Sequence, residues 1–277
     1  MKKLLSLTLA LALTLALAGC GASAPVSSNS NAALSGSVLV DGSTSMEKVI
    51  KILIESFNQT NPNVNITYNG SGSGAGITAA VDGTVDMGLS SRELKDEELS
   101  KGAVAHIVAL DGVAIVVNPA NPVDDLTREE IAALFTGEIT NWKEVGGADA
   151  PVAPLGREPG SGTRGAFEEL LDIEDSCIYA AEYSSTGDVI GNVASNPNAI
   201  GYSSLSAVND TVKALKVDGV ECSESTIKDG TFPIQRPFVL VTKEGTQLSS
   251  AAQAFLDYAM SAEVSGLIAQ AGAVSPK

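Results

Sequence analysis

Arg157, Ser161, Thr163 and Arg164 lie within eight residues of one another in GREPGSGTRG (156–165), with Gly160 and Gly162 between them. That set suits the holding of an anion. A guanidinium gives bidentate, charge-assisted hydrogen bonds, each worth roughly 1.5–3 kcal/mol where water is excluded. Hydroxyls add rotatable donors, and glycine lets backbone N–H groups come close. Three other stretches share this composition: DGSTSM (41–46), NGSGSGAG (69–76) and GLSSRE (88–93). Each stands after a strand or loop and before a helical pattern. Helix starts carry unpaired N–H groups and partial positive charge, and so bind anions. Singly, such loops are ordinary caps and turns. Four of them, in a fold that gathers ligands at the carboxyl ends of its strands, can surround one tetrahedral oxyanion.

The elements that must position these loops alternate along the chain. SVLV reads as a strand ending at Asp41, followed by a helix whose apolar face is Met46, Val49, Ile50, Leu53, Ile54 and Phe57. NVNITYNG reads as a strand, Ile77 to Val81 as a short helix, VDMGLS as a strand, and Arg92 to Lys101 as an acidic, exposed helix. AHIVALDGVAIVVNP and QRPFVLVTKEG are the most continuously apolar segments, as expected of buried strands running between lobes. The C-terminal AQAFLDYAMSAEVSGLIAQAG is again helical by period. Alternation of this kind predicts an α/β fold with an open, mostly parallel sheet. A chain that leaves one lobe, builds a second and returns crosses twice, which places a cleft and a hinge between the lobes. The expected division is lobe I over 37–112 plus 236–277 and lobe II over 113–235.

The first residues, MKKLLSLTLALALTLALAGC, read as a secretory signal over 1–19, its apolar run being too short to span a bilayer. LAGC resembles the lipobox of bacterial lipoproteins, which makes Cys20 the acylated first residue of the mature chain. The small, polar stretch from there to residue 36 reads as a flexible tether. The protein is thus expected outside the cytoplasm, anchored by lipid to the outer face of the cell membrane, with a soluble body. The whole chain carries 17 basic and 33 acidic residues. Without Lys2 and Lys3 the balance is 15 to 33, a formal charge of −18. This argues against nucleic acid as a partner, and an anion site must work through local hydrogen bonds. The two remaining cysteines, Cys177 and Cys222, are either a disulfide, as an exported chain permits, or two free thiols.

Six motifs, DGSTS, GSGSGAGI, TVDMGLSSRELKDEE, LFTGEITNW, GREPGSGTR and AIGYSSL, together resemble the phosphate-binding lipoproteins of bacterial phosphate ABC importers, members of the type II periplasmic-binding-protein fold. The likeness covers nearly the whole mature chain. It implies capture of inorganic phosphate and delivery to an ABC permease and ATPase complex, by a monomer needing no cofactor. By that resemblance Thr44 and the N–H of Ser45 donate from the first loop, Ser73 from the second, and Arg157 is the charged clamp. Ser161, Gly162 and Thr163 complete the shell from the other lobe. Ser91 is a departure: many relatives have aspartate there, which accepts the proton carried by phosphate and absent from sulfate. A hydroxyl repels sulfate less, so weaker sulfate rejection is expected.

Neighbouring charges leave alternatives. Arg92 either faces the ligand or pairs with Glu93, Asp96 or Glu97. Arg164 is placed equally by either role. Asp41 is a cap or turn residue, or an orienting carboxylate for Arg157. Enzyme chemistry is not expected: G-x-x-x-x-G-K-[ST] and G-x-S-x-G are absent, as are the H-x-x-x-H, C-x-x-C and calcium-loop ligand spacings. The single histidine, His106, lies in an apolar strand-like run, and Trp142 reads as a packing residue. The remaining alternatives are another tetrahedral oxyanion, such as sulfate or molybdate, or a sensing role on the same fold.

Overall fold

A computed structural model of the chain describes residues 33–276. The signal over 1–19, Cys20 and most of the tether lie outside the described residues. β1 (Gly36–Gly42) buries Val38 and Val40. A 3-10 turn, Thr44–Met46, leads into α1 (Glu47–Thr60), whose Val49, Ile50, Leu53 and Phe57 form one buried stripe. β2 (Val64–Asn69) and β3 (Met87–Ser90) pair parallel on either side of β1, with α2 (Ser73–Asp82) between them in sequence. α3 (Asp96–Ser100) precedes the long β4 (Ala103–Val117). Next come β5 (Asp125–Leu126), α4 (Arg128–Thr136), β6 (Ala153–Arg157), α5 (Gly162–Leu170), β7 (Ala181–Tyr183), α6 (Thr186–Ser195) and β8 (Ala199–Ser204). The chain then forms β9 (Lys213–Ala214), β10 (Lys216–Val217), α7 (Glu224–Lys228), β11 (Gln235–Lys243), α8 (Ser250–Ala259) and α9 (Ser265–Gln270).

The main sheet runs β2-β1-β3-β11-β4-β8-β6-β7. Its two flanks are parallel, as the alternation of strands and helices predicts. Its middle is antiparallel, because β11 returns alongside β4 from Gln235↔Gly112 to Lys243↔Ala103. β4 changes partner partway: its first part pairs with β11, and Val113 to Val117 pair with β8. The apolar core divides with it. One large cluster is built from residues between Val38 and Ala109 and between Phe238 and Ala273; the other holds residues between Val113 and Ile234, joined by Val274. A smaller third cluster, Ile77, Ala80, Ala103, Val239 and Val241, joins α2 to β4 and β11. Each large cluster is the interior of one lobe, and β4 and β11 pass between them.

Two helices differ from expectation. α2 is longer and starts at Ser73, directly on the glycine-rich loop. α3 covers only Asp96–Ser100, not Arg92 to Lys101, because Glu98 accepts both the Lys95 N–H (2.8 Å) and a bidentate contact from Arg92 (2.9 and 2.7 Å). Those bonds fix the helix start and hold residues 92–95 outside it. Cys177 and Cys222 are not joined: both are free. The Cys177 thiol reaches the Ile173 carbonyl, whereas Cys222 is buried against Gly112 and beside Ile227. Burial pushes both thiols up, Cys177 to about 11.

Candidate functional site

All four sequence loops reach one place. From the first lobe come Ser43, Thr44 and Ser45 after β1, Ser73 at the start of α2, and Ser91 after β3. From the second come Arg157 at the end of β6, Ser161 as the N-cap of α5, and Gly162 and Thr163 in its first turn. Ser45, Ser73, Ser91, Arg157, Ser161 and Thr163 are each at most 3% exposed. Hydroxyls left this dry need partners: those of Ser45, Ser73, Ser91 and Thr163 find them in neighbouring hydroxyls, and Ser161 Oγ accepts from the Arg164 N–H.

The two lobes meet through these groups. Ser45 Oγ lies 2.5 Å from Thr163 Oγ1 and 3.0 Å from Thr186 Oγ1, while Thr44 Oγ1 is 3.3 Å from the same Thr186 hydroxyl. The Gly74 N–H donates to the Gly160 carbonyl at 3.0 Å. Within the first lobe, Ser43 Oγ donates to Ser91 Oγ (2.8 Å), and the Ser91 N–H donates to Ser73 Oγ (3.1 Å). Gly162 faces these groups so closely that a Cβ there would fall 2.2 Å from Ser73 Oγ and 2.8 Å from Ser91 Oγ. Only glycine brings the start of α5, with its partial positive charge, onto the hydroxyls of the other lobe.

Arg157 supplies the one full positive charge of this ring. Its Nε donates to the Tyr183 carbonyl (3.0 Å), and Nη2 to the Ser184 carbonyl (2.9 Å) and Glu158 Oε1 (2.9 Å). Nη1 donates to Thr186 Oγ1 (3.1 Å) and so points at the hydroxyls that join the lobes. The carboxylate beside Arg157 is Glu158. Asp41 instead accepts from Asn69 Nδ2 (2.9 Å) on the neighbouring strand, so its alternative as an orienting group is not the one adopted.

Other candidates fall elsewhere. Arg92 pairs with Glu98, not with the carboxylates of Glu93, Asp96 or Glu97. Arg164 pairs with Glu168 and Glu182 and reaches the Arg157 carbonyl (3.0 Å). His106 bonds Thr242 across β4 and β11 (2.8 Å), and burial lowers its pKa. Trp142 is buried in the second lobe and donates to the Asn198 carbonyl (2.9 Å). Sequence reasoning missed Ser43, Thr186 and Glu158. A signal for Thr186 existed: Ser185-Thr186-Gly187 is a fifth loop of the same composition, at the start of α6.

A family described as the PBP superfamily domain matches residues 27–263. The phosphate-binding protein PstS of Bacillus subtilis is 36% identical over 235 residues, covering 83% of this chain and 77% of its own length. A crystal structure of a candidate phosphate ABC transporter substrate-binding protein from Clostridium perfringens, with bound phosphate, superposes with a TM-score of 0.85 at 38% identity. That match covers 87% of this chain and all of the other. An ABC-type phosphate transport receptor from Vibrio cholerae superposes with a TM-score of 0.72 at 32% identity, over 86% of this chain and all of its own.

Proposed function

This chain belongs to the phosphate-binding proteins of the PBP superfamily, with the type II periplasmic-binding-protein fold, and from that premise we propose that it captures inorganic phosphate between its lobes and delivers it to an ABC importer. The observation that carries the reading is the ring of buried hydroxyls and helix starts, contributed by both lobes, around the Nη1 edge of Arg157. Thr44, Ser45, Ser73 and Ser91 form one half of the clamp. Arg157, Ser161, Gly162 and Thr163 form the other, with Thr186 linking the two.

Ligand meets one half first. Rotation of the lobes about β4 and β11, lobe I being 37–112 plus 236–277 and lobe II 113–235, then brings in the second half and expels water, which strengthens each charge-assisted bond. The closed form is the one a permease distinguishes. Because the net charge is strongly negative, no long-range attraction aids capture, and affinity depends little on salt. Ser91 accepts from Ser43 and is fully buried, so that corner holds no carboxylate to repel sulfate. Sulfate accordingly competes better here than in Ser91→Asp. The leader over 1–19 and acylation of Cys20 would hold a monomer at the outer face of the membrane, beside the permease and ATPase complex.

The test is calorimetric titration of the ligand-stripped protein with phosphate, sulfate and molybdate. One-to-one phosphate binding, tighter than that of the other two anions and preserved at raised salt, is expected. Preference for another anion, or a steep loss of affinity with salt, would overturn the reading.

A further inference from the structure

A guanidinium can meet an anion already aimed only if the peptide carrying it is fixed, and on one side of Arg157 the sheet does not fix it. β6 pairs with β8 through Ala153↔Ala199, Pro154↔Ile200 and Leu155↔Gly201, where the ladder stops. Side chains take over. The Arg157 N–H donates to the Tyr202 hydroxyl (3.0 Å), which donates to the Tyr179 hydroxyl (3.1 Å), which donates to Glu168 Oε1 (2.9 Å). Arg164 Nε donates to the same carboxylate oxygen (2.8 Å), and Arg164 Nη1 donates to the Arg157 carbonyl (3.0 Å). The bonds leave Arg157 at its N–H and return to it at its C=O.

The direction of every proton in this ring is determined. Tyr202 accepts from a peptide N–H, so its single proton goes on to Tyr179, and the Tyr179 proton ends on a carboxylate. Burial pushes both phenols up, so they remain protonated donors at ordinary pH. Packing holds the ring rigid as well. Tyr202 stacks on Phe167 with centroids 4.1 Å apart, and the Arg164 guanidinium lies 4.9 Å over the Tyr179 ring. Tyr179 passes so near the strand that a Cβ on Gly156 would lie 2.2 Å from it. The ring lies wholly in the second lobe, on Arg157's peptide and not on its guanidinium.

We propose that Tyr202, Tyr179, Glu168 and Arg164 are positioning residues that hold the Arg157 peptide so that its guanidinium is aimed before ligand arrives. The inference rests on the reading that Arg157 clamps phosphate. Tyr202→Phe and Tyr179→Phe each remove one hydroxyl, and with it two bonds of the ring, while nearly keeping its volume, so one serves if the other fails to fold. Phosphate affinity is measured by calorimetry in the full chain, in wild type, in Arg157→Ala and in Thr163→Ala backgrounds. Each Tyr→Phe change should weaken binding about tenfold in wild type and in Thr163→Ala, with little or no further loss in Arg157→Ala. An unchanged affinity, or the same loss in the Arg157→Ala background, would overturn the proposal while leaving phosphate capture intact. Failure of the wild-type chain to bind phosphate would overturn both.

Discussion

Arg157 and Arg236 are both nearly fully buried, one in the cleft and the other where the chain crosses between lobes, and their surroundings differ in kind. Arg236 stands on β11 opposite Asp111 of β4 and donates to one oxygen of that carboxylate through Nε (3.1 Å) and Nη2 (2.9 Å). Asp111 is completely buried, and its other oxygen accepts from Ser204 (2.8 Å). Charge there is paired with charge, with Arg236 Nη1 left buried and without a hydrogen-bond partner, in strands that both lobes share. Arg157 has a carboxylate that is partly open to solvent, two backbone carbonyls, and an Nη1 edge turned toward hydroxyls of both lobes. Hydroxyls can turn to receive an anion, whereas a buried aspartate would repel one. The same side chain is therefore structural at the crossing and available to ligand in the cleft.

The largest effect expected from breaking this contrast is on stability. Asp111→Ala leaves Arg236 charged and buried without its partner, which should cost about 3–5 kcal/mol in chemical denaturation. Replacing both by apolar residues, Asp111→Leu with Arg236→Met, should recover most of the loss. Arg157→Ala should do the reverse: phosphate affinity falls on the order of 100-fold or more, from lost charge-assisted bonds, while the denaturation midpoint moves far less than in Asp111→Ala. Calorimetry and denaturation on the same two variants test the pair. Thr186→Val keeps the shape but removes the hydroxyl between Arg157 and the first lobe, and should weaken phosphate binding about tenfold.

The smallest effect concerns Arg92 and Glu98, a pair near the surface. Burial acts against the Glu98 charge, yet bonds from Arg92 and the Lys95 N–H outweigh it and hold the carboxyl below the usual glutamate range. A group depressed in the folded state adds stability above its unfolded pKa and loses it as pH falls through the folded one. The stability difference between wild type and Glu98→Gln should therefore shrink as pH falls through and below the ordinary carboxylate range. A constant difference would show that the contact does not titrate with folding.

Much of this was legible where chemistry and local pattern coincide. Ser73, Ser161 and Thr163 could be placed because Gly-Ser-Thr loops ahead of an apolar period mark helix starts, and they begin or cap α2 and α5. The two crossing strands were visible as continuous apolar runs. Other features depend on pairings between distant residues. Arg236 and Asp111 are 125 residues apart and meet only through the β4–β11 register. Thr186 resembles any helix cap until the sheet order brings α6 beside β6. The start of α3 was misjudged because Glu98 folds back over Lys95 and Arg92, a choice that helical period does not record.

If one oxyanion is held by buried donors from both lobes, a crystal structure grown with phosphate should show the anion within hydrogen-bonding distance of Arg157, of Ser161 or Thr163 in the second lobe, and of Ser45 or Ser73 in the first. Phosphate bound by one lobe alone, or away from Arg157, would contradict that arrangement.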